Sequence, residues 1–120
     1  MSLTTKRKTT SPSLTALEKS FLNLWSSMYP DIQLQTQHKV IPNRRYRFDF
    51  AHIDSKVAIE IQGGIWIKSG HTTGQGLQSS YAKLNLASYH DWMVFQLSSD
   101  MINPTWLTII YLAMVDRQKK

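Results

Sequence analysis

The chain has 120 residues, 42% of them hydrophobic, and a formal charge of +6. That is enough for one domain with a core, and it excludes a chain disordered by composition. No apolar run nears the roughly 20 residues of a membrane span, and with no cysteine there are no disulfides or thiolate metal sites. Lys6-Arg7-Lys8 leads into Thr-Thr-Ser-Pro-Ser, not into an apolar signal segment, so an intracellular, cytoplasmic protein is expected. A pI near 9.7 suits a polyanionic partner, most commonly nucleic acid.

Residues 1–11 read as a flexible basic arm and 12–120 as a single domain. Ser11-Pro12-Ser13 signals a helix start, with Thr15 and Glu18 spaced for a capping box. Leu14, Leu17, Phe21, Leu24, Trp25 and Met28 recur at helical spacing up to Tyr29-Pro30. Ile32, Leu34, Thr36, His38 and Val40 alternate with Gln33, Gln35, Gln37 and Lys39, which predicts a strand with the first set on one face. Pro42-Asn43 marks a turn. Keeping apolar faces together then requires Val40 opposite Tyr46.

The next two segments, 46–52 and 57–62, also alternate. Phe48, Phe50, Ile59 and Ile61 form the expected apolar face, and Arg47, Asp49, Glu60 and Gln62 the polar one. A hairpin tip centred on Asp54-Ser55 sets Asp49 opposite Glu60 and Arg47 opposite Gln62. The tip lacks the Gly of a two-residue turn, but a four-residue loop over 53–56 keeps the same pairing.

Beyond Gly63-Gly64, residues 65–76 read as a long loop. Residues 79–90 read as a second helix, with Leu77, Tyr81, Leu84 and Ser88 along one side. Residues 92–97 read as a buried strand. Asn103-Pro104 opens a final helix over 105–118, whose basic end (Arg117, Lys119, Lys120) complements its dipole. The order αβββαβα predicts an α/β fold, a mixed sheet of about four strands flanked by helices.

Directly opposed strand residues have Cβ atoms roughly 4.5–5.5 Å apart. Two ionised carboxylates at that separation repel, and one is driven toward protonation unless a cation intervenes. That cation is either a divalent metal, for which Mg²⁺ with its preference for oxygen ligands is apt, or the guanidinium of Arg47 or Arg45 in a salt-bridge cluster.

An Asp on one strand and Glu-Ile-Gln closing the next, inside this order of elements, resembles the PD-(D/E)xK nuclease superfamily and its restriction-endonuclease-like core. Glu60-Ile-Gln-Gly-Gly-Ile-Trp66, Gly70-His71-Thr-Thr-Gly74-Gln-Gly76, Lys83-Leu-Asn85-Leu-Ala87 and Trp92-Met-Val-Phe95 look like the small phage-type and very-short-patch-repair-like endonucleases of that group. The resemblance runs from about Glu18 to Asp100. It implies a Mg²⁺-dependent DNA endonuclease, with Mn²⁺ as a substitute, in which Asp49 and Glu60 with the Ile61 carbonyl hold the metal.

The third motif position, usually Lys, is Gln62, which carries no charge and acts only through hydrogen bonds. The resemblance offers Lys83 as the replacement cation, stabilising charge on the phosphate, against the reading of a solvated helix lysine. It also offers Glu18 as a further acidic residue, against a capping role with Thr15 alone. His71 is a candidate general acid or phosphate contact, and Trp66 a candidate base-stacking residue. Ser80 stands where related sequences often carry Asp, while His38, His52 and His90 have no metal-ligand spacing. Lys6, Arg7, Lys8, Arg44, Arg45, Arg47, Lys68 and Lys119 are candidate backbone contacts to DNA, including branched or mismatched DNA. One site per chain means that a double-strand cut needs a homodimer or two events. Alternatives are a Holliday-junction resolvase, a catalytically inactive nucleic-acid-binding module on the same fold, and an assembly protein whose carboxylates pair with Arg47.

Overall fold

The protein is described by a computed structural model over residues 14–62 and 74–119, with side chains over 14–62 and 81–119. In chain order the elements are α1 (Ala16–Met28), β1 (Gln35–His38), β2 (Phe48–His52), β3 (Val57–Gln62), α2 (Gly74–Tyr89), β4 (Met93–Ser98), a short 3₁₀ turn (Ser99–Met101) and α3 (Pro104–Gln118). The strands form one sheet in the order β1-β2-β3-β4, antiparallel except for the parallel β3–β4 pair joined through α2. The expected αβββαβα mixed sheet is therefore the one observed.

Helices cover both faces. Phe21 and Trp25 of α1 and Leu107, Ile110 and Met114 of α3 pack with Phe50, Val57, Ile59 and Leu97 on one face. On the other, Ala87 of α2 packs with Phe48, Ala51, Ala58, Val40, Ile41 and Trp92. Alanines at 51, 58 and 87 let α2 approach the sheet closely, whereas the first face is filled by large side chains. The inward side of α2 carries Leu84 and Ala87, not the expected Tyr81 and Ser88, which are exposed. β4 is an edge strand with Met93 and Gln96 exposed, not a fully buried one, because the sheet ends beside it. Among the described residues no helix is long and apolar enough to cross a membrane.

The central hairpin keeps the expected register: Phe50 pairs with Ile59, Ala51 with Ala58 and His52 with Val57. The paired residues end at Phe50 and Ile59; next along the two strands, Asp49 and Glu60 are neighbours whose carboxyl groups interact. Its four-residue turn lacks glycine, and Lys56 takes the left-handed conformation at φ 60°. The turn is held by other means. The Lys56 amide donates to the His52 carbonyl at 3.0 Å, and His52 Nδ1 and Ser55 Oγ hydrogen-bond at 2.7 Å. Arg117 of α3 donates from Nε to the Ser55 carbonyl at 2.6 Å, and from Nη2 to the Asp91 carbonyl at 2.5 Å. Arg117 thus staples two turns, in addition to the dipole role expected of it.

One expectation about faces fails. Leu34 packs on the α1/α3 side but Val40 on the α2 side, and Phe50 and Phe48 divide in the same way. The break falls at one level of the sheet, where Gln37 of β1 has a φ of 49° and the pairing of β1 with β2 skips from Thr36 with Phe50 to His38 with Phe48. Gln37 carries no sequence mark of a left-handed residue, which is why the alternating pattern reads straight through it.

Candidate active site

Asp49 lies on β2 between Phe48 and Phe50 and is held from both neighbouring strands. Asp49 Oδ2 accepts from the Ile61 amide at 2.7 Å, and Oδ1 accepts from Gln37 Nε2 at 3.4 Å. The backbone of β3 thereby fixes the carboxylate. Glu60 lies on the α2 side of β3, and Lys83 reaches across from α2 to donate to its Oε2. The pair is largely sheltered, with side-chain exposures of 21% for Lys83 and 14% for Glu60. The Lys83 ammonium also sits 4.4 Å from the centre of the Phe48 ring, a cation–π contact that the switched Phe48 makes available.

Glu18 approaches from α1. Its backbone amide donates to Thr15 Oγ1 at 3.1 Å and its Oε1 accepts from the Thr15 amide at 3.0 Å, completing the capping box. Only 8% exposed, it is also a neighbour of Asp49. The two readings of Glu18 are therefore compatible, because one residue caps α1 and joins the acidic end of the sheet.

Charge is costly here. Burial, reinforced by the neighbouring Asp49, pushes Glu60 up to about 7, even though Lys83 acts in the opposite direction. Burial also raises Glu18, with the Asp49 charge adding to it. Among the described residues no three His, Cys, Asp or Glu side chains form a ready-made metal shell. A cation at Asp49 and Glu60 would need a backbone carbonyl, substrate oxygens or water to complete its coordination. Mg²⁺ ordinarily binds in that way, through one or two carboxylates and several waters. The donor set is all oxygen and carries more negative charge than Lys83 balances, so it fits such an ion.

Arginine does not neutralise the pair. Arg47 donates to the Gln37 carbonyl at 3.4 Å, and among the described residues no arginine bridges Asp49 or Glu60. Arg44 and Arg45 are exposed in the turn after β1. His52 belongs to the hairpin turn, and the His90 carbonyl accepts from Lys56 Nζ at 2.9 Å. His71, Lys68, Trp66, Lys6, Arg7 and Lys8 lie outside the described residues.

Gln62 follows on β3, and its Nε2 donates to Gln96 Oε1 of β4 at 3.2 Å. Glu60, Gln62, Lys83, Leu84 and Gln96 line a cleft of about 190 Å³. A second cleft, of about 300 Å³, lies by Thr15, Glu18 and Ile61. Gln96 is absent from the residues that the sequence pattern singles out. Its only signal is that of a lone polar residue in the run Met93–Leu97, and the parallel register alone reveals that it stands beside Glu60.

The fold has a known counterpart. Among solved structures, the chain is similar to the homing endonuclease I-Bth0305I catalytic domain. The TM-score is 0.64, with 87% of this chain and 98% of that chain covered and 20% of residues identical. No family model and no curated protein matches the chain. The likeness is one of fold, and the two chains share the layered sheet that carries Asp49 and Glu60 here.

Proposed function

We propose that this protein is a divalent-metal-dependent DNA endonuclease that uses the end of β2 and β3 as its active site. The observation that carries the reading is the Asp49–Glu60 pair, two neighbouring, part-buried carboxylates on adjacent strands with one of them pushed up to about 7. A site that raises a carboxylate in this way gains when a cation arrives. The resemblance to PD-(D/E)xK nucleases and the shared fold with a homing endonuclease catalytic domain both support the reading.

Asp49, Glu60 and the Ile61 carbonyl are the groups that would hold the ion. When bound, Mg²⁺ or Mn²⁺ supplies Lewis-acid polarisation of the phosphate and charge stabilisation in the transition state. The chain supplies the rest. The Ile61 amide holds Asp49 in one orientation. Lys83, which pairs with Glu60 in the cleft, would be the cation available to stabilise charge on the phosphate. In the net reaction a water oxygen bonds to phosphorus, one ester P–O bond breaks, and the water's proton ends on the departing sugar oxygen. The basic charge of the chain favours DNA association.

Nicking of supercoiled plasmid with Mg²⁺ or Mn²⁺ tests this reading. The wild type should nick, and Asp49→Asn and Glu60→Ala should not. Undiminished nicking by pure Asp49→Asn protein would reject the site.

A second reading rests on the Lys83–Glu60 pair and the uncharged Gln62. In that reading Lys83 permanently satisfies Glu60, and the protein binds nucleic acid without cutting it. It predicts salt-sensitive binding and no hydrolysis with Mg²⁺, Mn²⁺ or Ca²⁺.

A further inference from the structure

The connection between β1 and β2, residues 39–47, carries Lys39, Arg44, Arg45 and Arg47 and no acidic residue. All four are exposed, and among the described residues none of them forms an ion pair. The connection leaves β1 at His38 and enters β2 at Phe48, its pairing partner, so it lies at the end of the sheet where Asp49 stands. Both its ends are anchored on the α2 face. Val40 and Ile41 are buried with Phe48, Ala87 and Trp92, and Tyr46 packs on the same cluster together with Leu84. Leu84 in turn lines the cleft with Glu60 and Lys83. Between the anchors, Asn43 takes the left-handed conformation at φ 62° and the Arg44 amide donates to the Ile41 carbonyl at 3.3 Å. An anchored turn thus holds Arg44 and Arg45 out in solvent, on the face of the sheet that carries the cleft.

The opposite end of the sheet differs in charge. Asp54 lies in the hairpin turn, Asp31 shares a cleft with it, and Asp91 and Asp116 stand by the turn and helix end that Arg117 joins. All four are exposed. The cations there are engaged: Lys56 donates to the His90 carbonyl, Arg117 to the Ser55 and Asp91 carbonyls, and Lys119 lies 3.8 Å from Asp116. At the site end Glu18 and Glu60 are sheltered, and the exposed acid is Asp100, just beyond β4.

We propose that the β1–β2 connection is the grip on duplex DNA. Arg44 and Arg45, with Lys39 and Arg47 beside them, bind backbone phosphates flanking the one that enters the cleft, and the acidic hairpin end faces away from the duplex. A guanidinium offers a phosphate two parallel N–H groups, and an anchored loop has little freedom to lose on binding. Such contacts set register and orientation and read no base sequence. DNA as the partner rests on the nuclease reading.

Binding of a labelled duplex, measured by fluorescence anisotropy in EDTA over a range of salt, tests the grip without cutting. Losing one phosphate contact lowers the steepness of log K against log salt by about one. Arg44→Gln and Arg45→Gln should each do so. Lys56→Gln removes the same charge at the other end and should leave the slope unchanged. The chain has no cysteine, so Pro42→Cys and Asp54→Cys proteins each take a single photoreactive maleimide. The label at 42 should crosslink to the duplex, and the label at 54 should not. Unchanged slopes in both arginine variants, an equal change in Lys56→Gln, or crosslinking as strong from 54 as from 42 would overturn the proposal. A wild type that nicks DNA with a slope indifferent to both arginines would reject the grip and keep the nuclease. Arginine-dependent binding with no nicking would keep the grip and reject the nuclease.

Discussion

Asp49 Oδ2 accepts the Ile61 amide of the neighbouring strand at 2.7 Å, so a side chain serves the ladder where β2 and β3 reach the site. The bond ties the stability of the sheet end to the residue that would hold a metal. Asparagine can accept the same bond, but alanine leaves a sheltered N–H without a partner. Asp49→Asn should therefore unfold in urea close to wild type, and Asp49→Ala should lose about 1–3 kcal/mol. A large loss for the asparagine variant would mean that the negative charge itself, and not the acceptor, holds the strands.

The pH dependence of stability has a defined sign. Glu60 titrates at about 7 in the folded chain, above its ordinary 4.5. Between those values the folded chain keeps a proton that the unfolded chain has lost. Stability without metal should be fully present below about 4.5 and should fall as pH rises through about 7, by at most about 1.4 kcal/mol for each pH unit crossed. Glu18, also raised, acts in the same direction. Glu60→Gln should flatten the slope and be more stable than wild type at pH 8, as read by thermal melts across pH. An unchanged slope would show that Glu60 does not titrate there.

The hairpin register from His52 with Val57 to Phe50 with Ile59 is legible in the sequence because strand alternation and an even loop leave few ways to pair two apolar faces. The helix starts are legible too. Thr15 with Glu18 and Asn103 with Pro104 carry local capping chemistry, and each caps its helix as expected. What escapes the sequence is decided at a distance. Gln37 turns left-handed with no residue type to announce it, and at the same level of the sheet Phe48 and Phe50 part to opposite faces. Only the family resemblance points to Lys83, whereas the strand pattern alone offers arginine as the counter-ion. Gln96 is placed by a parallel neighbour whose register no local pattern records.

Arg117 gives a test of the distant contacts. It donates to the Ser55 and Asp91 carbonyls, one in each of two turns that carry left-handed residues, Lys56 and Asp91. Arg117→Ala should cost about 1–3 kcal/mol in denaturant unfolding. Arg117→Lys should recover little, because one ammonium lacks the fork that spans both acceptors. Full recovery by lysine would show that charge near the helix end matters more than the two bonds.

The double duty of Glu18 can be separated by chemistry. Glu18→Gln keeps an oxygen for the Thr15 amide and removes a like charge beside Asp49. It should be as stable as wild type or more so at pH 8. Thr15→Ala, which removes the cap, should lose about 1 kcal/mol. Thermal melts of the two variants compared with wild type decide the matter, and a destabilised Glu18→Gln would mean that the carboxylate charge is needed for the cap.

Asp49 and Glu60 together are proposed to hold a divalent cation, and every step of the nuclease reading depends on it. Calorimetric titration of Mn²⁺ at pH 8, where Glu60 is mostly ionised, tests this most directly. One Mn²⁺ should bind saturably per wild-type chain, and binding should be abolished in a folded Asp49→Asn protein. Binding of equal strength in both proteins, or no binding by the wild type, would contradict it.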